Sequence, residues 1–140
     1  MQTTVDIGPP VEWSLDLDRA NPEVYADRVQ IEQVLLNLVR NAVEAMQEAA
    51  GRPRKLTLRS RQDEEFVIVS VEDTGPGVPA DVLKRLFDPY FTTKPSGIGL
   101  GLSISRSIVE DHGGRITAQT SDAGTTFVFQ LPTARHGTAS

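Results

Sequence analysis

Residues Phe87 to Ile104 read FDPYFTTKPSGIGLGLSI. An aromatic pair, two hydroxyls and a lysine come first, then the alternating glycines Gly97, Gly99 and Gly101, then the apolar start of a helix near Leu100. Alternating glycines admit backbone N–H groups to an anion with no Cβ in the way, and a helix that begins there points the positive end of its dipole at it. Thr92, Thr93 and Lys94 add donors and one positive charge. The stretch suits a polyphosphate. A glycine cluster also makes ordinary surface turns, so the flanking sequence has to decide between the two.

Toward the N-terminus, residues 79–87 fit a short helix with Val82, Leu83 and Leu86 inward and Pro79 in its first turn. Before it stands DTGPGVP, in which Thr74, Gly75, Pro76 and Gly77 force a tight turn after Asp73. Residues 54–61 and 66–73 read as two strands around Gln62-Asp63-Glu64-Glu65, with Leu56 and Leu58 on one face of the first. On the second, the two-residue period aligns Val67, Val69 and Val71 with Asp73, which brings a carboxylate to the rim of the core at a strand's end. Phe66 and Ile68 on the opposite face leave the buried side open. An aspartate there also serves as a plain turn residue.

Further back, residues 27–49 form the clearest helix, with Ile31, Leu35, Leu38, Ala42 and Ala45 spaced by three and four, Asp27 as cap, and Gly51 with Pro53 as its end. Asn37, Asn41 and Glu44 fall on consecutive turns beside that stripe. Mid-helix asparagines are mildly unfavourable, and these three offer oxygen ligands suited to a hard cation such as Mg²⁺, although a polar stripe is also what water solvates. Residues 11–17 alternate as a half-buried strand with Val11, Trp13, Leu15 and Leu17 on one face, and Val5 and Ile7 allow a short strand before Pro9-Pro10. The chain starts almost directly on folded material, as a piece of something longer would.

Beyond the glycines, residues 100–111 read as a helix with Leu102, Ile104, Ile108 and Val109 on one face, ended by Gly113-Gly114. Strands at 115–120 and 125–131 follow, joined by Ser121-Asp122-Ala123-Gly124, and residues 133–140 form a tail with nothing to order it. A chain of 140 residues fits one domain, here 1–132. The net charge of -5 with no basic patch argues against nucleic acid. The longest apolar-rich run, 31–46, is broken by Gln33, Asn37, Arg40, Asn41 and Glu44, so no membrane span or membrane contact is expected. With no cysteine, disulfide, thiol and cysteine-zinc chemistry are excluded, and a cytoplasmic location is compatible with that composition.

The motif order resembles the catalytic ATP-binding domain of bacterial sensor histidine kinases, and more broadly the Bergerat ATP-binding fold those kinases share with DNA gyrase, the Hsp90 chaperones and the MutL proteins. QVLLNLVRNAVEAM is similar to the asparagine box, DTGPGVP to the first glycine box, LFDPYFTTK to the phenylalanine box, GIGLGLSI to the second glycine box and AGTTFVFQLP to the last. The wording around the short lid is most similar to the nitrogen-regulation and oxygen-sensing branch. The resemblance, over residues 27–131, implies an α/β two-layer sandwich: a mixed sheet of about five strands with three helices on one face.

It further implies ATP and Mg²⁺. Asn41 would bind the metal with Asn37 alongside, and Asp73 would accept a hydrogen bond from the adenine amino group. Gly75 and Gly77 would let the backbone pass the base, and Thr125 or Thr126 would sit near the adenine through water. Lys94 and the backbone of Gly97, Gly99, Leu100, Gly101 and Leu102 would bind phosphates with Thr92 and Thr93, while Phe87 and Phe91 would anchor a mobile lid. Neither a P-loop nor a Rossmann fingerprint competes, since no G-x-x-x-x-G-K-[ST] occurs and Ile104 stands where the latter needs a small residue.

Hydrolysing members of the wider family carry a glutamate base four residues before the metal-binding asparagine, and here that place holds Asn37. A neutral amide takes no proton from water, which favours kinase over ATPase. Glu44 on the same side is a candidate base toward an incoming histidine, and Lys94 a candidate for the transferring phosphate. The acceptor histidine is not in this chain: His112 suits a helix end and His136 lies in the tail. The expected partners are a separate histidine-bearing dimerisation domain and a response regulator, with the domain monomeric on its own and unable to label itself. Two alternatives are a nucleotide- or partner-binding module without chemistry and an anti-sigma-factor serine kinase of the same fold.

Overall fold

The structure, a computed structural model, describes residues 11–16, 26–47, 51, 53–91 and 101–133. The readings at Val5, Ile7, Leu17, Thr92, Thr93, Lys94, Gly97, Gly99, Leu100 and residues 134–140 lie outside these.

Apolar residues at helical spacing and a good cap make α1 (Arg28–Gln47). Asp27 Oδ1 accepts the N–H groups of Val29 at 3.0 Å and Gln30 at 3.2 Å, satisfying donors that the first turn leaves open. The helix buries Val34, Leu38, Ala42, Val43 and Met46, while Ile31 and Leu35 only edge the core. The expected stripe is thus rotated toward Met46. The cause is the turn after Asp73, which covers the helix's C-terminal half and brings Thr74 Oγ1 to 3.5 Å from Met46 Sδ.

One five-stranded mixed sheet underlies the helices, in the order β1-β2-β3-β5-β4. Strand β1 (Glu12–Asp16) runs parallel to β2 (Lys55–Gln62), and antiparallel pairs join β2 to β3 (Phe66–Glu72), β3 to β5 (Gly124–Pro132) and β5 to β4 (Arg115–Ser121). At the sheet edge, Val11 packs on the core but Leu15 is 64% exposed among the described residues, against the expectation of a shared buried face. Between β2 and β3, Asp63 Oδ1 accepts the N–H groups of Glu65 and Phe66, and these bonds hold its carboxyl below the ordinary value. Along β5, Thr125, Phe127, Phe129 and Leu131 alternate into the core. The N–H of Thr133, placed in the tail by the sequence reading, donates to the Glu65 carbonyl at 2.8 Å.

Helix α2 (Ala80–Leu83) is shorter than the expected 79–87. After Leu83 the chain tightens into turns closed three residues back, such as Arg85 N–H to Val82 O at 2.9 Å, which lets both Leu86 and Phe87 reach the core. Helix α3 (Gly101–Asp111) buries Ser105, Ile108 and Val109, and leaves Ile104 38% exposed where a buried residue was expected. Ser105 takes that place because it meets Asn37 of α1. At the other end of α3, His112 Nδ1 lies 2.7 Å from Ile108 O and Nε2 accepts the Asp27 N–H at 3.0 Å, which ties the start of α1 to the end of α3 and sets the two helices antiparallel. No helix among the described residues is long and apolar enough to cross a membrane.

Candidate functional site

Strand β3 delivers Asp73 where the valine alternation put it, at the strand's end and 2% exposed. Its N–H continues the ladder to Thr125 O at 2.9 Å. Its Oδ1 accepts two backbone N–H groups, from Gly75 at 2.9 Å and Thr125 at 3.2 Å. Oδ2 is buried and has no partner. Burial pushes this carboxyl above its ordinary value, the Gly75 and Thr125 N–H groups pull it back, and the Glu72 charge adds a further upward push. An unpaired buried acceptor costs free energy on the order of 1–3 kcal/mol, which a ligand donor repays on binding.

The glycine turn after Asp73 is shaped by protein neighbours. A Cβ on Gly75 would lie 3.1 Å from the Ala45 carbonyl of α1, and one on Gly77 would lie 2.6 Å from the Ser121 carbonyl of the β4–β5 hairpin. These glycines therefore let the turn wedge between α1 and the hairpin, a demand that exists without any base. Thr74 pins the turn's other side: Oγ1 donates to Pro53 O at 2.7 Å and accepts the Lys55 N–H at 3.0 Å.

That wedge joins Asp73 to the polar side of α1. Ala45, which Gly75 abuts, lies beside Glu44 and one turn beyond Asn41. A turn before Asn41, Asn37 Nδ2 donates to Gly101 O at 3.2 Å and to Ser105 Oγ at 3.1 Å. Contacts therefore run from the turn after Asp73 through Ala45 along α1 to Asn37 and the start of α3. Asn37 latches α1 to α3 there, and its amide N–H groups are taken by that task. Among the described residues no group of three His, Asp or Glu could hold a metal, so a cation at Asn41 has to bring other ligands with it, as Mg²⁺ does when phosphates and water complete its shell.

Phe87 sits edge-on to Phe127, ring centroids 6.1 Å apart at 88°, with the Arg106 guanidinium 6.0 Å above its ring. Phe91 lies under Arg85, 4.4 Å from the guanidinium carbon. Both aromatics are thus anchored from the protein side. Leu102 packs on the core, while Gly101 stands exposed at the N-terminus of α3. Thr125 is buried against Asp73, and Thr126 is half-buried on the other face of β5.

Two residues at the site, Ser105 and Thr120, escaped the sequence reading, and Gly124 entered it only in the β4–β5 linker and the AGTTFVFQLP box. Gly124 has φ +144°, and a Cβ there would fall 1.9 Å from the Asp73 carbonyl. Ser105 and Thr120 carried no signal, because a serine in a helix and a threonine in a strand are common residues in common places. Thr120 Oγ1 nevertheless accepts the Val78 N–H at 2.8 Å and lies 3.3 Å from Thr125 Oγ1.

The family described as histidine kinase-, DNA gyrase B-, and HSP90-like ATPase matches residues 26–135. The sensor protein FixL of Bradyrhizobium diazoefficiens is 49% identical over 125 residues, covering 89% of this chain and 25% of that protein. The sensory histidine kinase/phosphatase NtrB of Rhizobium leguminosarum is 40% identical, covering 84% of this chain and 34% of that protein. The chain therefore spans about a quarter to a third of these relatives. Among solved structures, the nucleotide-free catalytic domain of the histidine kinase ThkA superposes with a TM-score of 0.77 at 41% identity, over 87% of this chain and 80% of that one. Full-length ShkA in complex with AMPPNP gives 0.77 at 31% identity, over 89% of this chain and 26% of that one.

The chain belongs to the histidine kinase-, DNA gyrase B- and HSP90-like ATPase family. Within this ATP-binding family, the chain is a histidine kinase catalytic domain with the two-layer α/β sandwich expected from its motifs.

Proposed function

We propose that this domain holds Mg-ATP with the adenine amino group on Asp73 Oδ2 and passes the γ-phosphoryl group to a histidine on a separate helical dimerisation domain. The observation that carries the reading is the buried Asp73 carboxylate oxygen with no partner, on a turn that packs against α1, the helix that carries Asn37 and Asn41. Adenine presents a donor at its 6-position, and Oδ2 wants one. The structure of ShkA with AMPPNP supports the choice of nucleotide.

Asn41 offers its amide oxygen to Mg²⁺, which when bound neutralises phosphate charge. Lys94, Thr92, Thr93 and the backbone from Gly97 to Leu102 supply donors to the phosphates. In the transfer, an imidazole nitrogen of the acceptor attacks the γ-phosphorus, the bond to the β–γ bridging oxygen breaks, and ADP leaves with the electron pair. The acceptor's ring proton needs a base, and Glu44, on the same side of α1 as Asn41, takes that role. Asn37 has no proton affinity to activate water, and its N–H groups are occupied by α3, so ATP is kept for transfer.

A response regulator is the next acceptor, a reading supported by the solved complex of ThkA with the response regulator protein TrrA. Using ATP, the domain works on the cytoplasmic side. The test mixes the chain with γ-labelled ATP, Mg²⁺ and a separately produced histidine-bearing domain. Acid-labile label on that domain and none on this chain is expected. Label on the chain itself, or on a serine-bearing antagonist in its place, overturns the proposal.

A further inference from the structure

Strands β4 and β5 pair Thr120 directly with Thr125, and their hydroxyl oxygens lie 3.3 Å apart. A threonine hydroxyl has one proton and two acceptor sites. On Thr120, one acceptor site is fixed by the Val78 N–H at 2.8 Å. Its proton then has two places to go. It can point at Thr125 Oγ1, or at the Gly124 carbonyl 3.5 Å away, a distance at the outer limit for such a bond. Directed to Thr125, it occupies an acceptor site there and leaves Thr125 its own proton to donate outward. Directed to Gly124, it leaves Thr125 to donate back to Thr120, with only lone pairs to offer a ligand.

We infer that Thr120 is a positioning residue for base recognition: by donating to Thr125, it turns the Thr125 hydroxyl into a donor aimed at a purine-ring nitrogen that accepts. The inference rests on the adenine reading above. Thr125 and Asp73 are facing residues of β5 and the end of β3, joined by Asp73 N–H to Thr125 O and Thr125 N–H to Asp73 Oδ1, so the Thr125 hydroxyl and the unpartnered Oδ2 come from neighbouring positions. A wall with an acceptor at Asp73 and a donor at Thr125 matches adenine, whose 6-amino group donates and whose N1 accepts. It opposes guanine, whose O6 accepts and whose N1 carries hydrogen.

Two further contacts make Thr120 part of a built arrangement. Its Oγ1 sits 3.2 Å from where a Cβ on Gly77 would be, and the Gly77 turn lies against Ser121 next to it. The clasp from Thr120 to Val78 therefore fixes the hairpin and the glycine turn to each other while it orients Thr125.

The test compares ATP with 1-deaza-ATP, in which the N1 acceptor is replaced by C–H, using isothermal titration on the intact chain with Mg²⁺. Wild type is expected to bind ATP several-fold more tightly than 1-deaza-ATP. Thr120→Val, which keeps the branched shape but deletes the bond that orients the Thr125 hydroxyl, should lose about 3- to 10-fold in ATP affinity, the range one net hydrogen bond supplies, and leave 1-deaza-ATP affinity unchanged. Thr120→Ser should restore the preference. Equal losses on both nucleotides, or a wild type that does not distinguish them, overturns the inference while leaving the ATP reading in place. A wild type that binds neither nucleotide removes the ATP reading and this inference with it. Should Thr120→Val fail to fold, Thr120→Ser and the wild-type preference still decide: a serine variant without the preference contradicts the assignment.

Discussion

The N–H of Thr125 donates to Oδ1 of Asp73 across 52 residues of sequence, and this single bond dictates which way the carboxylate can turn. With Gly75 donating to the same oxygen, an amide at position 73 has to place its oxygen there and its NH₂ where Oδ2 now lies. Asp73→Asn therefore converts the buried acceptor to a donor without disturbing the backbone. Affinity for ATP should fall at least tenfold, since a hydrogen bond to a charged group contributes about 1.5–3 kcal/mol, and inosine triphosphate, with an accepting O6, should gain relative to ATP. Titration calorimetry with both nucleotides measures the ratio.

The same carboxylate makes the stability of the ligand-free domain depend on pH with a definite sign. Burial raises the folded-state value of Asp73 above the ordinary 3.8, so the folded chain binds more protons than the unfolded chain between the two. Stability in wild type relative to Asp73→Asn should decline as pH climbs from about 3.8 through the raised value, then level off. Asp63, held low by its turn, contributes with the opposite sign in both proteins and cancels in the difference. Urea midpoints over a pH series on the two proteins provide the comparison.

Asn37 is a latch between helices, and its amide nitrogen is what matters. Asn37→Ala removes two donated bonds, to Gly101 O and Ser105 Oγ, and should destabilise the fold by about 1–2 kcal/mol. Asn37→Asp should cost more, because it sets an acceptor against the Gly101 carbonyl. Chemical denaturation ranks the three proteins, and an aspartate variant as stable as wild type would show that the latch is unimportant.

Two glycines with positive φ separate conformational strain from collision. Gly51 at φ +81° has no contact for a Cβ among the described residues, so Gly51→Ala meets the backbone preference, about 1 kcal/mol. Gly124→Ala adds a methyl 1.9 Å from the Asp73 carbonyl and has to push that residue away. The second variant should lose several kcal/mol, or fail to accumulate folded, and any folded fraction should bind ATP poorly. Thermal melts with and without nucleotide read both effects.

How far the sequence carried follows from what is local. The valine alternation that brought Asp73 to a strand's end, the cap at Asp27 and the polar stripe through Asn37 and Asn41 depend on neighbours within a turn or two, and all were legible. The position of the α1 stripe was not, because Met46 is buried by a turn 28 residues away. Ile104 and Ser105 exchanged burial for the same reason, since the residue that selects Ser105 is Asn37 on another helix. Gly75 and Gly77, which the resemblance set beside a base, also have tertiary neighbours that a sequence does not state, being wedged on Ala45 and Ser121. Thr120 stayed invisible because its importance lies in a cross-strand partner, and a sequence does not state register.

Asp73 Oδ2 is the acceptor proposed for the adenine amino group. The most direct measurement is the melting temperature of the intact chain during a titration with ATP and Mg²⁺. A ligand bound only by the folded state should raise it steadily, with about 2.7 kcal/mol gained at a hundredfold excess over Kd, while Asp73→Asn shows little or no rise at the same concentrations. A flat wild-type curve would remove nucleotide binding, and a rise of equal size in Asp73→Asn would remove Asp73 from it.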